Sequence, residues 1–429
     1  MNIINRFLTL HKRYLSNLGA TFISQAVSAL SILILTPYFL KELGTEQFSI
    51  YGVILNLIVF SSIFDFGLNI GLLRKLVHRD QSQIQLINIL FVFFIVLFLF
   101  SIPIYITIFH FGLVSNTNHS ILIPVLVAIV VSQNIIAILF DVIIQSVNKI
   151  FVGKLIRITR TIIEFLLLFF ICKLGSIKYL LLTTVCVNFI YILALFIFSK
   201  RELNYTISTK YFNWPLLKEH MLYSFWYFQN AVASVTVYNA QIIMISNFVD
   251  SINVAKYLVV TRFYDVIRTG LTNFTMVLFP TISSLQAEGN WQKLKNVYLK
   301  VLLRVSILVV VSFSIILTFG QHVFLQWSRF NDSITINLFQ LYSVFVGLLI
   351  IEHVPTVFLS AFKFNKYPSI VASIQGIVGL LFTYLLIPHF GIIGGVVGSL
   401  FAFLLTNFWF NLYYLNTKLN QQISIVHAS

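Results

Sequence analysis

Charge is scarce in this chain. Asp, Glu, Lys and Arg make up only 10% of the 429 residues, whereas 59% are hydrophobic, and the mean hydropathy is +0.93. A soluble domain of this size needs far more polar surface, so a soluble globular fold is excluded. Cysteine is nearly absent. Cys172 and Cys186 both sit in apolar runs, with no CxxC and no Cys/His cluster, which argues against a disulfide framework or a structural zinc. There is no GxxxxGK(S/T) phosphate loop, no HExxH and no GxSxG, so direct ATP hydrolysis is not expected and no motif requires a cofactor or a metal. Long hydrophilic stretches are missing as well, and no connection is long enough to fold as a separate soluble domain. Acidic residues number 13 against 28 Lys+Arg, a net charge of +15.

What is present is a series of about twelve apolar runs of roughly 20 residues each, the length of a transmembrane helix. They fall at 15–40, 48–73, 84–111, 120–147, 155–174, 178–199, 221–247, 254–285, 297–319, 334–362, 368–387 and 391–415. Helices satisfy their own backbone in lipid, so the expected fold is an all-α polytopic membrane protein. Cations alternate across these runs. Connections on one side, from Arg6, Lys12 and Arg13 to Lys418, hold 21 of the 28 Lys+Arg; the other side holds Lys41, Lys173, Lys178, Lys256 and Arg329. Cytoplasmic loops retain Lys and Arg, so both termini are expected in the cytoplasm. The first run exceeds a signal-peptide core, so no cleaved signal is expected. The cations are spread over many loops. That distribution points to topology and to membrane lipids as partners, not to nucleic acid.

The longest inner connection, 200–220, contains Asn213-Trp214-Pro215 and reads as a linker between a first six-helix bundle, 1–199, and a second, 221–429. The largest outer loop is expected at Gly320–Ser333. A weak repeat at an offset of 206 residues lays Tyr51 on Tyr257 and Ser28 on Ser234. A second echo joins the basic-aromatic loops Asn148-Lys149-Ile150-Phe151 and Phe362-Lys363-Phe364-Asn365. With an even number of helices per half, the halves run the same way through the membrane.

Charges at bilayer depth cost about 2.5–3.5 kcal/mol each at a helix centre, so they are the strongest pointers to chemistry. The eighth run carries Arg262, Asp265 and Arg268, spaced by three so that neighbours can meet on one helical face. One carboxylate neutralises only one of two guanidiniums. The surplus suits phosphate or another anion, whose oxygens match the planar fork. The alternative is an Arg262 that snorkels outward, with Asp265–Arg268 a structural ion pair. Four further acids are candidates for coupling an ion, because desolvated carboxylates exchange protons near neutral pH: Asp65, Asp141, Glu164 and Glu352, the last beside His353. For Asp65, which begins Asp65-Phe66-Gly67, a carboxylate bonding freed backbone donors at a helix irregularity is the structural alternative. For Asp141 it is pairing with Lys149 or Arg157. Pro37, Pro280 and Pro355 lie inside apolar runs and bend them. Tyr38, Tyr51, Tyr257 and Tyr264 could stack on sugar rings if they faced a cavity.

Pro37-Tyr38, Leu43-Gly44-Thr45-Glu46-Gln47-Phe48, Tyr51, Asp65-Phe66-Gly67 and Arg74 together resemble the opening of the polysaccharide-export flippases. These are the O-antigen transporters of the multidrug/oligosaccharidyl-lipid/polysaccharide superfamily. Ser49 stands where the family usually has Gly. Tyr257 to Arg262 and Phe279-Pro280 are similar to the family's eighth helix, although Val260-Thr261-Arg262 lacks its usual Ala. The resemblance implies two six-helix bundles around a central cavity and a non-enzymatic role. It implies alternating-access transport of undecaprenyl-diphosphate-linked repeat units across a bacterial inner membrane, for O-antigen, lipopolysaccharide or capsule assembly. Its partners would be the lipid-linked oligosaccharide and other polysaccharide assembly proteins. Arg262 carries over from the family pattern; Asp265 and Arg268 rest on spacing. Two other functions compete: a cation-coupled small-molecule exporter of the same fold, which would need an acidic cavity, and a membrane polysaccharide polymerase, which would need a large outer loop.

Overall fold

The computed structural model describes residues 2–77, 83–110, 121–147, 149–208, 212–276, 278, 282–283, 285–286, 288–362, 364 and 366–428, with side chains at most positions from 16 to 425. Arg79, Asn148, Lys210, Phe279, Pro280, Lys363 and Asn365 lie outside the described residues, as do the side chains of Arg6, Lys12, Arg13 and Arg74. Among the described residues all regular structure is helical. Among the described residues nine segments are long and apolar enough to cross a membrane. One of them, Gly19–Phe64, covers two of the expected runs. The fifth and eighth runs are helices too, Ile150–Ile171 and Ser251–Met276, but both carry several charges. Large apolar side chains stand exposed along the helices, including Phe100 at 63% and Ile377 at 68%. Such a surface is stable only against lipid.

The chain forms two compact units, Met1–Ala231 and Val232–Ser429. In the first, α1 (Asn2–Val59) carries the first apolar run and the opening part of the second. Its helical path breaks at Gly44, where φ is 76°. A short turn, α2 (Ser61–Phe64), precedes α3 (Leu68–Val77). The remaining helices are α4 (Gln83–His110), α5 (Leu122–Ser146), α6 (Ile150–Ile171), α7 (Ile177–Leu203) and the start of α8 (Trp214–Tyr238). Helix α5 packs on α4 and α7, and α1 packs on α6. Pro215 occupies the first turn of α8, where its missing N–H costs nothing.

The second apolar run is not one helix. Phe66 (φ 50°) and Gly67 (φ 70°) are both left-handed and turn the chain between α2 and α3. Asp65 Oδ1 accepts from the Asn69 backbone N–H at 3.1 Å, which satisfies one of the donors that a new helix start leaves free. Phe66 stacks on Phe228 with centroids 5.3 Å apart. Gly67 and Gly71, four apart, form the contact of α3 with α8, a spacing that lets membrane helices approach closely. A Cβ on Gly67 would lie 2.6 Å from the Phe228 backbone nitrogen. One on Gly71 would collide with the Ser224 side chain. His220 Nε2 lies 3.0 Å from the Leu68 carbonyl oxygen. The 200–220 connection is tied to the same unit: Tyr205 is buried and bonds Ser199 at 2.7 Å, and the Ser208 N–H donates to Asn88 at 2.6 Å.

In the second unit the seventh run is divided between α8 and α9 (Ala240–Phe248) at Asn239. Then follow α10 (Ser251–Met276), α11 (Trp291–Ile315), α12 (Gln321–Ser328), α13 (Ser333–Ala361), α14 (Lys366–Phe390), α15 (Ile392–Leu405) and α16 (Asn407–Ala428). The break at Val249–Asp250 lies 206 residues beyond Gly44, the repeat's own offset. The expected outer loop at Gly320–Ser333 is largely helical. A π turn at Ile316–Gly320 leads into α12, because Phe324 is fully buried against Phe339 and Phe263. Only Arg329–Asp332 connects it to α13. Helices α14 and α15 meet through glycine: a Cβ on Gly398 would lie 2.7 Å from the Thr383 nitrogen.

Gly67 and Gly175 test the α3–α8 contact. Both are left-handed, but a Cβ on Gly175 would meet nothing within 4 Å. Alanine at either position carries the left-handed cost of about 1–2 kcal/mol. Only Gly67→Ala adds overpacking of about 1–3 kcal/mol. Thermal unfolding in detergent should therefore place Gly67→Ala clearly below Gly175→Ala. Equal midpoints would mean that the helix contact does not require the glycine.

Candidate functional site

Helix α10 is two-faced. Tyr257, Val260 and Tyr264 are buried, with Tyr257 edge-on to Tyr342 and Tyr264 against Phe339 and Phe313. This buried face holds the helix in register. The aromatic rings at 257 and 264 are thereby committed to packing. Arg262 and Asp265 lie away from this face, Arg268 follows Tyr264 by four residues and so sits on its side one turn on, and all three are half-buried. Arg268 Nη2 lies 3.2 Å from Asp265 Oδ1. Arg262 makes no hydrogen bond or ion pair among the described residues. At about 1.5 Å per residue, it sits roughly 16 Å from the start of the helix, near mid-membrane for a core of about 30 Å. The stripe thus holds two guanidiniums and one carboxylate, a surplus of one positive charge.

The start of α10 is anchored. Lys256 Nζ lies 3.0 Å from Asp332 Oδ1, and Asp332 also caps α13 by accepting from the Thr335 N–H at 3.1 Å and its hydroxyl at 2.9 Å. Partial burial pushes the Asp332 carboxyl upward, but the Lys256 ammonium and the Thr335 donors outweigh it and hold the carboxyl below its usual range.

Glu352, on α13, has a different environment. It is buried and accepts from Thr356 Oγ1 at 2.6 Å and from Asn411 Nδ2. Among the described residues no cation pairs with it. Asn411 lies on α16 with Asn407 one turn earlier, and Asn407 Nδ2 donates to Gln375 Oε1 at 2.7 Å. The carbonyl oxygens of Asn407 and Asn411 and Nε2 of His353 are buried without a partner. Sequence reasoning singled out Glu352 but missed Gln375, Asn407 and Asn411. The available signal was two asparagines four apart on an apolar helix, hence on one face.

The other acids are paired or capping. Asp65 caps α3 at the turn described above. Asp141 Oδ2 lies 3.1 Å from Arg157 and 3.0 Å from Gln145, packed against Gly153. Glu164 lies 2.9 Å from Arg160, whose Nε donates to Asn188 at 3.1 Å. The structure brings Asp141 and Glu164 onto one charged seam of α5, α6 and α7. It brings Asp265 to Arg268. Asp65 and Glu352 have donors of their own, the Asn69 N–H for the one and Thr356 with Asn411 for the other. Arg157 and Arg160, counted above with an inner connection, stand inside α6.

A family model described as polysaccharide biosynthesis protein matches residues 14–286. No curated protein sequence matches the chain. The chain is similar in fold to the lipid II flippase MurJ in an inward closed conformation, with TM-score 0.74 and 15% identity over 92% of this chain and 86% of that one. It is also similar to an inward-facing multidrug resistance transporter of the MATE family in the MOP superfamily, with TM-score 0.70 and 12% identity over 92% and 96%. A MOP-superfamily transporter from Pyrococcus furiosus, described by the reverse polarity of its binding pocket, matches with TM-score 0.62 and 12% identity over 95% and 96%. At such identities the likeness is one of fold.

Two measurements check the electrostatics. Asp141→Asn strips a buried partner from Arg157, whose side chain is 40% exposed, and should cost about 1–3 kcal/mol, the scale for an unmade hydrogen bond. Asp265→Asn, at a more exposed pair, should cost under about 1 kcal/mol. Thermal unfolding in one detergent compares them, and equal losses would deny the difference in burial. Because the Asp332 carboxyl is depressed, its contribution is present above the ordinary carboxylate range and lost as pH falls through the folded-state value. The stability gap between the wild type and Asp332→Asn should stay constant from neutral pH down to about 4 and close below it.

Proposed function

The chain belongs to the polysaccharide biosynthesis protein family, and on that footing we propose that it is a flippase for polyprenyl-diphosphate-linked sugar repeat units. It would move them from the cytoplasmic to the outer face of a bacterial inner membrane, in O-antigen or related surface-polysaccharide assembly. One observation carries the reading: a half-buried guanidinium, Arg262, without a counter-ion and six residues from an Arg268 that already uses Asp265. A desolvated diphosphate supplies the anionic oxygens that this stripe lacks, and arginine's fork suits them. The sugar would share a water-filled chamber with the headgroup while the prenyl tail stays in lipid.

The two units would alternate access between the membrane faces. Glu352 is the best-suited coupling group among the four candidates. Its carboxylate is held by neutral donors beside two unpartnered amide oxygens, so a proton or a sodium ion can bind without displacing an internal cation. Asp141 and Glu164 would have to release arginine first. Membrane topology follows the cation alternation, with both termini in the cytoplasm.

The MATE-like fold keeps a second reading open to test, a cation-coupled exporter of small molecules. The cationic stripe on α10 disfavours organic cations as cargo. Against a polymerase stand the short outer connections at 175–176, 249–250 and 329–332, which have no room for a catalytic loop.

Arg262→Ala and Arg268→Ala should abolish surface polysaccharide in a deletion strain while the protein still inserts, and lysine at either position should restore only part of it. Lipid-linked single units should accumulate on the cytoplasmic face. Normal surface polysaccharide in both alanine variants would remove the diphosphate site. Accumulation on the outer face would instead indicate a polymerase, and drug sensitivity with intact polysaccharide would indicate the exporter.

A further inference from the structure

Helix α11 outreaches the membrane. It runs through the π turn into α12 as one helical stretch, Trp291–Ser328, of 38 residues, about 57 Å at 1.5 Å per residue. The hydrocarbon core is about 30 Å thick. All the charge of the stretch is at one end. No Asp, Glu, Lys or Arg occurs from Val305 to Ser328, a length of about 36 Å that covers the core by itself. Lys293, Lys300 and Arg304 come before it. Arg304 therefore stands at the edge of the hydrocarbon and Lys300 about 6 Å further out, both at headgroup depth.

These cations share one face with an apolar strip. At about 100° per residue, Lys293, Lys300 and Arg304 fall within about 40° of one another. Ile307, Leu308, Val311 and Ile315 continue that face into the hydrocarbon, each within about 60° of Arg304. All seven are exposed. The buried side of the helix, Leu294, Tyr298, Val309 and Phe313, lies about 80–180° away from Arg304. Lys295 is on that side and donates to Asn420 of α16 at 2.8 Å.

Nothing in the chain neutralises the stripe. Lys75 and Lys149 pair with Glu219 and Glu202. Lys293, Lys300 and Arg304 make no side-chain hydrogen bond, ion pair or ring contact among the described residues. Helix α11 contains no acid. The helices packed on it, α13 and α16, carry Glu352 alone, which Thr356 and Asn411 hold. Glu288, just before the helix, forms no ion pair among the described residues.

We infer that this stripe of α11 is a docking site for an anionic diacyl phospholipid, with its phosphate between Lys300 and Arg304 and its acyl chains along the apolar strip. The occupant must be negative at headgroup depth and apolar beyond it, which is the order of groups along the stripe. Ile307 and Leu308 stand about 100° apart on either side of Arg304, so the face offers one row, Ile307–Val311, to one chain and another, Leu308–Ile315, to the second. Lys293 adds positive charge on the water side. The cation alternation puts the site in the inner leaflet. A lipid held there fixes the depth of a helix long enough to slide through the bilayer. Because the lipid is part of the bilayer and not cargo, the site stands whether or not the chain is a flippase.

The test uses the full chain in nanodiscs of equal phosphatidylglycerol and phosphatidylethanolamine, with native mass spectrometry of the retained lipid. The wild type should retain phosphatidylglycerol over phosphatidylethanolamine. Lys300→Ala and Arg304→Ala should each lower that preference about fivefold, the effect of one cation near an anionic headgroup. Lys300→Arg should keep it. Lys178→Ala, which removes an exposed cation of α7, should leave it unchanged. Equal retention of the two lipids by the wild type overturns the site. So does an equal loss in Lys178→Ala, which would make net charge the cause. Undecaprenyl diphosphate is the competing probe: if it displaces phosphatidylglycerol from the wild type at equal amounts, the stripe belongs to cargo and the phospholipid site is overturned.

Discussion

An ionised side chain in hydrocarbon needs a counter-charge, a set of neutral donors or water, and the acids of the helices meet that requirement in three ways. Asp141 and Glu164 are held by Arg157 and Arg160, three residues apart on α6. Glu352 has only a hydroxyl and an amide. Asp65 is spent on a backbone donor. Arg262 has none of these among the described residues. The same desolvation cost underlies the proposed function, in which an anion would supply what Arg262 lacks.

Backbone satisfaction is the second expression of the same constraint. In lipid every N–H needs a partner, so the helices are long, and the break at 65–67 comes with a local substitute. At Asp65-Phe66-Gly67 a carboxylate, a left-handed glycine and a stacked phenylalanine together permit a sharp turn inside an apolar run. The glycine serves twice, because the absence of its Cβ also admits α8 to contact distance. Charge and backbone are thus solved by the same few residues at the turn between α2 and α3.

The functional picture joins these parts. Under the proposed function, the surplus guanidinium of α10 would meet the diphosphate of a lipid-linked sugar, and Glu352, held by neutral donors, would take the coupling ion.

Much of the architecture was legible from residue order. The apolar run lengths, the side-to-side alternation of lysine and arginine and the absence of soluble motifs identify a many-helix membrane protein, because insertion into lipid acts on each segment largely by itself. The spacing at 262, 265 and 268 likewise announces a shared helix face, a property of one helix alone. Residue order did not reveal that the second run breaks in two or that Gly320–Ser333 folds into α12 over Phe324. Nor did it reveal that Glu352 meets Asn411 across 59 positions or that Arg160 stacks over the Tyr191 ring. Each of those depends on which helices become neighbours. Hydropathy specifies which segments enter the bilayer, but the contacts among segments already inside are decided by side-chain volume, glycine notches and the pairing of polar groups, and these take effect only in the packed protein.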